Sequence, residues 1–223
     1  MMEVTKGIHR VDGVNGNCYI VGDGDLTLID TGMPNNGDAI LKCIKGMGRE
    51  PHDVKTIIIT HSHIDHIGSL SAMKEATGAK VAVHRSEAGI LSGKEQMPMP
   101  KGAMAMVVKM MGAVMRAPPV QPDVLLDDGS EVAGLLVIHT PGHTPGSIAL
   151  LDKARRAVFV GDTLRVGKDG VEGPPERFTL DPELAKKSMQ RIASLDFGIM
   201  LSGHGEPLMP RADEKVREFL KTN

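Results

Sequence analysis

Aromatic side chains are nearly missing from this chain. They make up 2% of its 223 residues, with no tryptophan and a single tyrosine, Tyr19. A surface that stacks nucleobases needs several aromatic faces, so this composition argues against one. Excess positive charge is missing too. Lys and Arg number 26 against 28 Asp and Glu, a formal net charge of −2, which lacks the field that draws a protein to nucleic acid. There are only two cysteines, Cys18 and Cys43. Their spacing gives neither a disulfide framework nor a zinc knuckle, so both are expected as buried free thiols. No uninterrupted apolar stretch reaches the ~18 residues of a membrane span. The opening "MMEVTKGIHRVDG" has no apolar core of a signal peptide. The expectation is a soluble, cytoplasmic protein with no nucleic-acid or membrane partner.

What is present is a mixture of strand and helix patterns. "NCYIVGDGDLTLIDTG" (17–32) reads as two short strands around the turn "GDGD". "NNGDAILKCIKGMG" (35–48) has the apolar spacing of a helix ending at Gly46 or Gly48. "VKTIIIT" (54–60) is a β-branched run suited to a buried strand. "IGSLSAMKEATG" (67–78) reads as a helix closed by Gly78, and "KVAVH" (80–84) as a strand. Further on, "EVAGLLVIHT", "SIALLD", "AVFVGD" and "FGIMLSG" read as strands. "DPELAKKSMQRIASL" (181–195) is a helix with Asp181 as its cap and Pro182 at its first position, and "RADEKVREFLKT" is a terminal helix. Both halves mix strands and helices, with hairpins rather than strict strand–helix–strand order. That pattern predicts two packed sheets with helices outside.

One segment interrupts the alternation. "MPMPKGAMAMVVKMMGAVMRAPP" (97–119) holds seven of the fifteen methionines. Met104, Val107, Val108, Met111 and Met115 share a helical face, with Lys109 and Arg116 opposite. A Met-rich helical insertion at about 93–120 follows. Its readings are a helix packed on the core, a lid over a substrate pocket, or a contact between copies in a homo-oligomer.

"THSHIDHIGS" (60–69) packs three of the nine histidines and an aspartate into a few positions. Neighbouring imidazolium charges repel, whereas a metal binds neutral rings and holds them together. His61 and His63 project to one side if the backbone stays extended, and Asp65 and His66 follow. Zinc takes imidazole nitrogen and carboxylate oxygen, so the remaining ligands must come from elsewhere in the chain. Three apolar strands lead into glycine-containing loops that carry candidates. These are His143 in "HTPGHTPGS", Asp162 in "VFVGDTL" and His204 in "MLSGHGEP".

With "NGNCYIV" and "LIDTG", these motifs in this order resemble the metallo-β-lactamase superfamily over about residues 14–207. The resemblance implies an α/β (α+β) chain folded as one four-layer αββα sandwich over residues 1–223. It also implies two divalent metal ions, zinc foremost, with manganese or iron as alternatives. One ion would take His61, His63 and His143, the other Asp65, His66 and His204, with Asp162 bridging. Asp65 and Asp162 would be the catalytic carboxylates, Asp65 orienting a nucleophile. Two zinc ions, two carboxylates and a bridging hydroxide leave a net positive site that suits a developing oxyanion. Asp30 of "LIDTG" either supports the ligand loop or serves as a turn residue. His9, His52, His84 and His139 stay outside the site, with His139 a candidate support for the His143 turn.

Departures narrow the activity. Antibiotic-hydrolysing members usually have cysteine at the position of Asp162. Flavodiiron members replace the second histidine with glutamate, whereas His63 is histidine. Only 19 residues follow His204, short of the helical extension of full glyoxalase II. The resemblance thus implies a glyoxalase II-like or lactonase-like hydrolase without that extension, acting on a small ester, thioester or lactone. The alternative is a persulfide dioxygenase with one iron on His61, His143 and Asp162. Arg165, Lys168 and Arg177 either anchor a substrate carboxylate or lie in a solvated loop.

Overall fold

The β-branched runs of the first half become a seven-stranded sheet in the computed structural model, which describes residues 2–98 and 117–222. Those residues divide into two units. One contains 2–97 and 117–125, the other 98 and 126–222. Among the described residues, no helix is long and apolar enough to cross a membrane. The Met-rich insertion and its expected lid or subunit contact fall, apart from the segment's ends, outside the described residues.

In the first unit the strands lie in chain order: β1 (Met2–Thr5), β2 (Ile8–Arg10), β3 (Tyr19–Val21), β4 (Leu26–Ile29), β5 (Val54–Ile59), β6 (Lys80–His84) and β7 (Val124–Leu126). Strands β1 to β4 form an antiparallel meander. Parallel pairing then takes over, with Ile29 beside Ile58 and Ile59 beside Val83. The ends of β4, β5 and β6 therefore reach the same edge of the sheet, where parallel sheets characteristically present binding residues. Two helices, Gly37–Gly46 and Leu70–Thr77, bury Ile40, Cys43, Ile44, Leu70 and Met73 against Ile20, Leu28, Ile57, Ile59 and Val81. Each fully buried aliphatic side chain contributes about 2 kcal/mol, so burial of this face holds the two helices on the sheet. Cys18 and Cys43 are buried free thiols, as their scarcity suggested. Burial raises the pKa of both, which leaves them protonated and inert.

The second unit carries a five-stranded sheet. Its strands are β8 (Glu131–Val132), β9 (Leu135–His139), β10 (Ile148–Asp152), β11 (Ala157–Gly161) and β14 (Ile199–Ser202), in the order β14-β11-β10-β9-β8. Between β11 and β14 in the chain lies a separate hairpin of β12 (Arg165–Gly167) and β13 (Gly170–Glu172). Helices Pro182–Ala193 and Ala212–Thr222 cover one face, packing Ile192, Ala212 and Val216 with Ile138, Val158 and Val160. The Asp181 side chain caps the first of these, accepting from Leu184 N at 2.9 Å.

Two local expectations are corrected. "EVAGLLVIHT" is two strands, not one. Ala133 and Gly134 both take positive φ (51° and 78°), and the chain doubles back so that Val132 faces Leu135. That is the two-residue turn whose twist matches antiparallel strands. The stretch after Asp162 is the β12–β13 hairpin rather than an open loop. In it Arg165 Nη2 lies 2.6 Å from Glu172 Oε2, so its guanidinium already faces a carboxylate. Arg177 sits over the Phe178 ring at 4.9 Å.

Candidate metal centre

In the first unit, the end of β5 delivers Thr60, His61 and His63. A short helix, Ile64–Ile67, follows at once and carries Asp65 and His66. Its backbone is tied to the loop after β4. Thr31 N and Thr31 Oγ1 both donate to His66 O, at 2.7 and 2.9 Å. Gly16 presses against the other side. A Cβ there would stand 2.0 Å from Asp65 O, so only glycine lets the loop approach this closely.

The rings are crowded. His61 and His63 centroids lie 4.7 Å apart, and His61 and His66 centroids 4.0 Å apart. His61 and His66 are fully buried. Their tautomers are set by Asp30, which is buried at the end of β4 with φ 58°. Its Oδ2 accepts from His66 Nδ1 at 2.8 Å and from Thr60 Oγ1 at 2.7 Å, while Oδ1 accepts from Thr60 N at 2.8 Å. A threonine hydroxyl has one proton. Since Thr60 gives it to Asp30, the contact of 3.2 Å between Thr60 Oγ1 and His61 Nδ1 has the ring as donor. The hydrogen-bond network therefore assigns the Nδ1–H form to both His61 and His66, leaving Nε2 of each as a basic lone pair. Asp30 is thus a support for the ligand loop, in a left-handed conformation that aspartate tolerates better than most residues.

In the second unit, the parallel pair β11–β14 aligns Gly161 with Ser202, so Asp162 and His204 leave neighbouring strands at one edge. Gly203 N donates to Gly161 O at 2.7 Å, and Ser202 Oγ to His204 O at 2.6 Å, which hold the two loops in step. His143 sits in the turn joining β9 to β10. Gly142 lies so close to the helix Pro182–Ala193 that a Cβ would come within 2.2 Å of Ala185 N. Thr179 Oγ1 donates to Pro175 O at 2.9 Å, so at His143 Nδ1, 3.4 Å away, it acts as acceptor. His143 is thereby fixed with Nε2 basic. His139 steadies the same turn through Nε2 and Pro145 O at 2.9 Å.

Asp162 Oδ2 lies 3.6 Å from His143 Nε2 and 3.4 Å from His204 Nε2. Both exceed the usual N–H···O length of about 2.9 Å. They match the edge, about 3.3 Å, of a tetrahedron of nitrogen and oxygen donors around zinc at about 2.05 Å. In the first unit, the 3.1 Å between His61 Nε2 and His63 Nδ1 is close to the same edge. His and Asp side chains of both sets belong to groups that could hold a metal ion. By donor chemistry and spacing, the residues fit a divalent cation.

A family model described as the metallo-beta-lactamase superfamily matches residues 11–204. The chain belongs to this superfamily. It is 31% identical over 233 residues to the probable metallo-hydrolase YflN of Bacillus subtilis (strain 168), covering 92% of this chain and 86% of that protein. Among solved structures it resembles TTHA1623 in a di-iron-bound form, with 26% identity and a TM-score of 0.72, covering 96% and 99% of the two chains. It also resembles the metallo-beta-lactamase family protein TTHA1429 from Thermus thermophilus, with 23% identity and a TM-score of 0.73, covering 99% and 80%. The mixed α/β fold with several sheets is the metallo-β-lactamase fold. The superfamily and its metallo-hydrolase relatives favour a metal-dependent hydrolase over the oxygenase alternative.

Sequence reading missed three supporting residues. Thr60 adjoins the histidine motif and could have been found from its place at the strand end. Thr179 gave no signal, because its partner is 36 positions away. Glu87 is the third.

Proposed function

We propose that the chain is a cytoplasmic dinuclear metallohydrolase acting on a small ester, thioester or lactone, of the glyoxalase II-like or lactonase-like kind. On this reading His61, His63 and His143 hold one divalent cation, Asp65, His66 and His204 hold a second, and Asp162 is shared. The observation that carries it is Asp162 Oδ2, flanked by two imidazole nitrogens from separate loops at coordination-edge distances. Zinc suits this nitrogen and oxygen set. Manganese and iron accept similar donors, and TTHA1623 has been crystallised with two irons.

When bound, such ions supply Lewis acidity, lowering the pKa of a water and polarising a carbonyl. The chain's own residues provide orientation and shielding. Asp30 and Thr60 fix His61 and His66, and Thr179 fixes His143, each in the tautomer whose Nε2 is the basic nitrogen. Asp65, in the first turn of its helix, would accept a hydrogen bond from the attacking water and so aim its lone pair at the substrate. His61, His66 and His143 are at most 2% exposed, which keeps bulk water from competing for charge.

A panel of esters, thioesters and lactones, assayed before chelation, after it, and after zinc is returned, tests the reading. Hydrolysis should vanish on chelation and return with zinc. Hydrolysis indifferent to metal removal would contradict it, and one iron per chain with oxygen consumption would move the chain to the oxygenase class.

A further inference from the structure

Glu87 is a fully buried carboxylate outside every motif described above. It ends a single 3-10 turn, Arg85–Glu87, directly after β6. The parallel register of β5 and β6 sets Val83 beside Ile59, so this turn and the His61–His63 loop rise from adjacent strand ends. There Glu87 Oε2 accepts a hydrogen bond from Ser62 N at 3.1 Å. Ser62 is the residue between His61 and His63, and is itself 1% exposed. Removing a carboxylate from water is costly unless its interactions compensate, and the Ser62 amide supplies one such interaction. The turn is itself braced, since the His84 ring accepts from Ser86 N at 3.3 Å and the next helix, Ala88–Leu91, seats Leu91 in the core.

We propose that Glu87 is a positioning residue that clamps the His61–Ser62–His63 loop through the Ser62 amide, holding both imidazoles at the spacing one cation requires. The proposal rests on the dinuclear reading above. The Ser62 N–H belongs to the peptide unit joining His61 to Ser62, whose orientation sets the backbone torsions on either side of it and so helps set where the His61 and His63 side chains emerge. Pinning its N–H removes the rotation that would swing His61 Nε2 and His63 Nδ1 from their 3.1 Å separation. The clamp works through acceptor and reach, not through net charge.

Three variants separate these possibilities. Glu87→Gln keeps an acceptor and drops the charge. Glu87→Asp keeps the charge and shortens the reach by one methylene. Glu87→Ala removes both. Zinc affinity of each full-length protein is read by competition with a chromogenic chelator, and Co(II) uptake by its visible absorption. Hydrogen exchange of the Ser62 amide is read in the metal-free proteins. The expected result is that Glu87→Gln stays close to wild type. Glu87→Asp and Glu87→Ala should weaken zinc binding by about 10–100-fold, alter the cobalt spectrum and lose Ser62 amide protection. Affinity and protection unchanged in the Ala or Asp variant would overturn the proposal. So would a Gln variant as weak as Ala, which would make charge the operative property. Should Glu87→Ala fail to fold, the Asp and Gln pair still decides. A wild-type protein that takes up no zinc would sink the dinuclear reading alone, while amide protection would still judge the clamp.

Discussion

Asp162→Ala should abolish stable uptake of two metal ions and lower hydrolysis by roughly 1,000-fold, since metal ions supply several kcal/mol of transition-state stabilisation and each 1.36 kcal/mol is tenfold in rate. The reasoning starts from a single oxygen. Asp162 Oδ2 is the atom that His143 Nε2 and His204 Nε2 both approach. Removing it deletes a donor from both proposed ligand sets and withdraws negative charge from between two dications. The backbone around it does not depend on that side chain. Gly203 N pairs with Gly161 O, and Thr163 N with Val160 O, whatever stands at position 162. The metal-free variant is therefore expected to melt cooperatively. Metal content by elemental analysis, with the hydrolysis panel, checks the prediction, and wild-type occupancy in the variant would refute it.

Asp30→Ala is the second large effect, and it should reach both metal affinity and stability. The carboxylate satisfies three buried donors, Thr60 N, Thr60 Oγ1 and His66 Nδ1. Leaving such donors without an acceptor costs about 1–3 kcal/mol each, and non-additivity among neighbours brings the expected total to about 3 kcal/mol. Freed of Asp30, Thr60 has no reason to point its proton away from His61. Both His61 and His66 then lose the contact that reserves Nε2 for metal. Zinc affinity should fall by about 10–100-fold beyond any change in fold. Denaturant melts of the metal-free protein give the first quantity and chelator competition the second. A variant that loses stability but binds zinc as before would show that Asp30 only builds the turn.

Much of this centre is local and was therefore legible. His61, His63, Asp65 and His66 lie within one strand end and one helical turn, so spacing alone placed them together. The Asp181–Pro182 helix start and the β5 run were equally readable, because capping and β-branched burial are short-range signals. Long-range pairings were not. Nothing in the sequence states that Thr179 faces His143, or that Glu87 reaches Ser62, since those contacts depend on strand register. The "EVAGLLVIHT" error is a local one. Its apolar run outweighed a turn made by Ala133, a residue with no turn signature of its own. The β12–β13 hairpin hid behind charged residues that read as solvated loop until Glu172 was seen opposite Arg165.

The central claim is that five imidazoles and two carboxylates from separate loops hold a pair of divalent ions. An anomalous difference map from crystals of zinc-loaded protein, collected at the zinc edge, tests it most directly. The account predicts two peaks per chain, one ligated by His61, His63 and His143, the other by Asp65, His66 and His204, with Asp162 touching both. Zinc peaks that lie away from these side chains, or no peak after soaking in excess zinc, would contradict it.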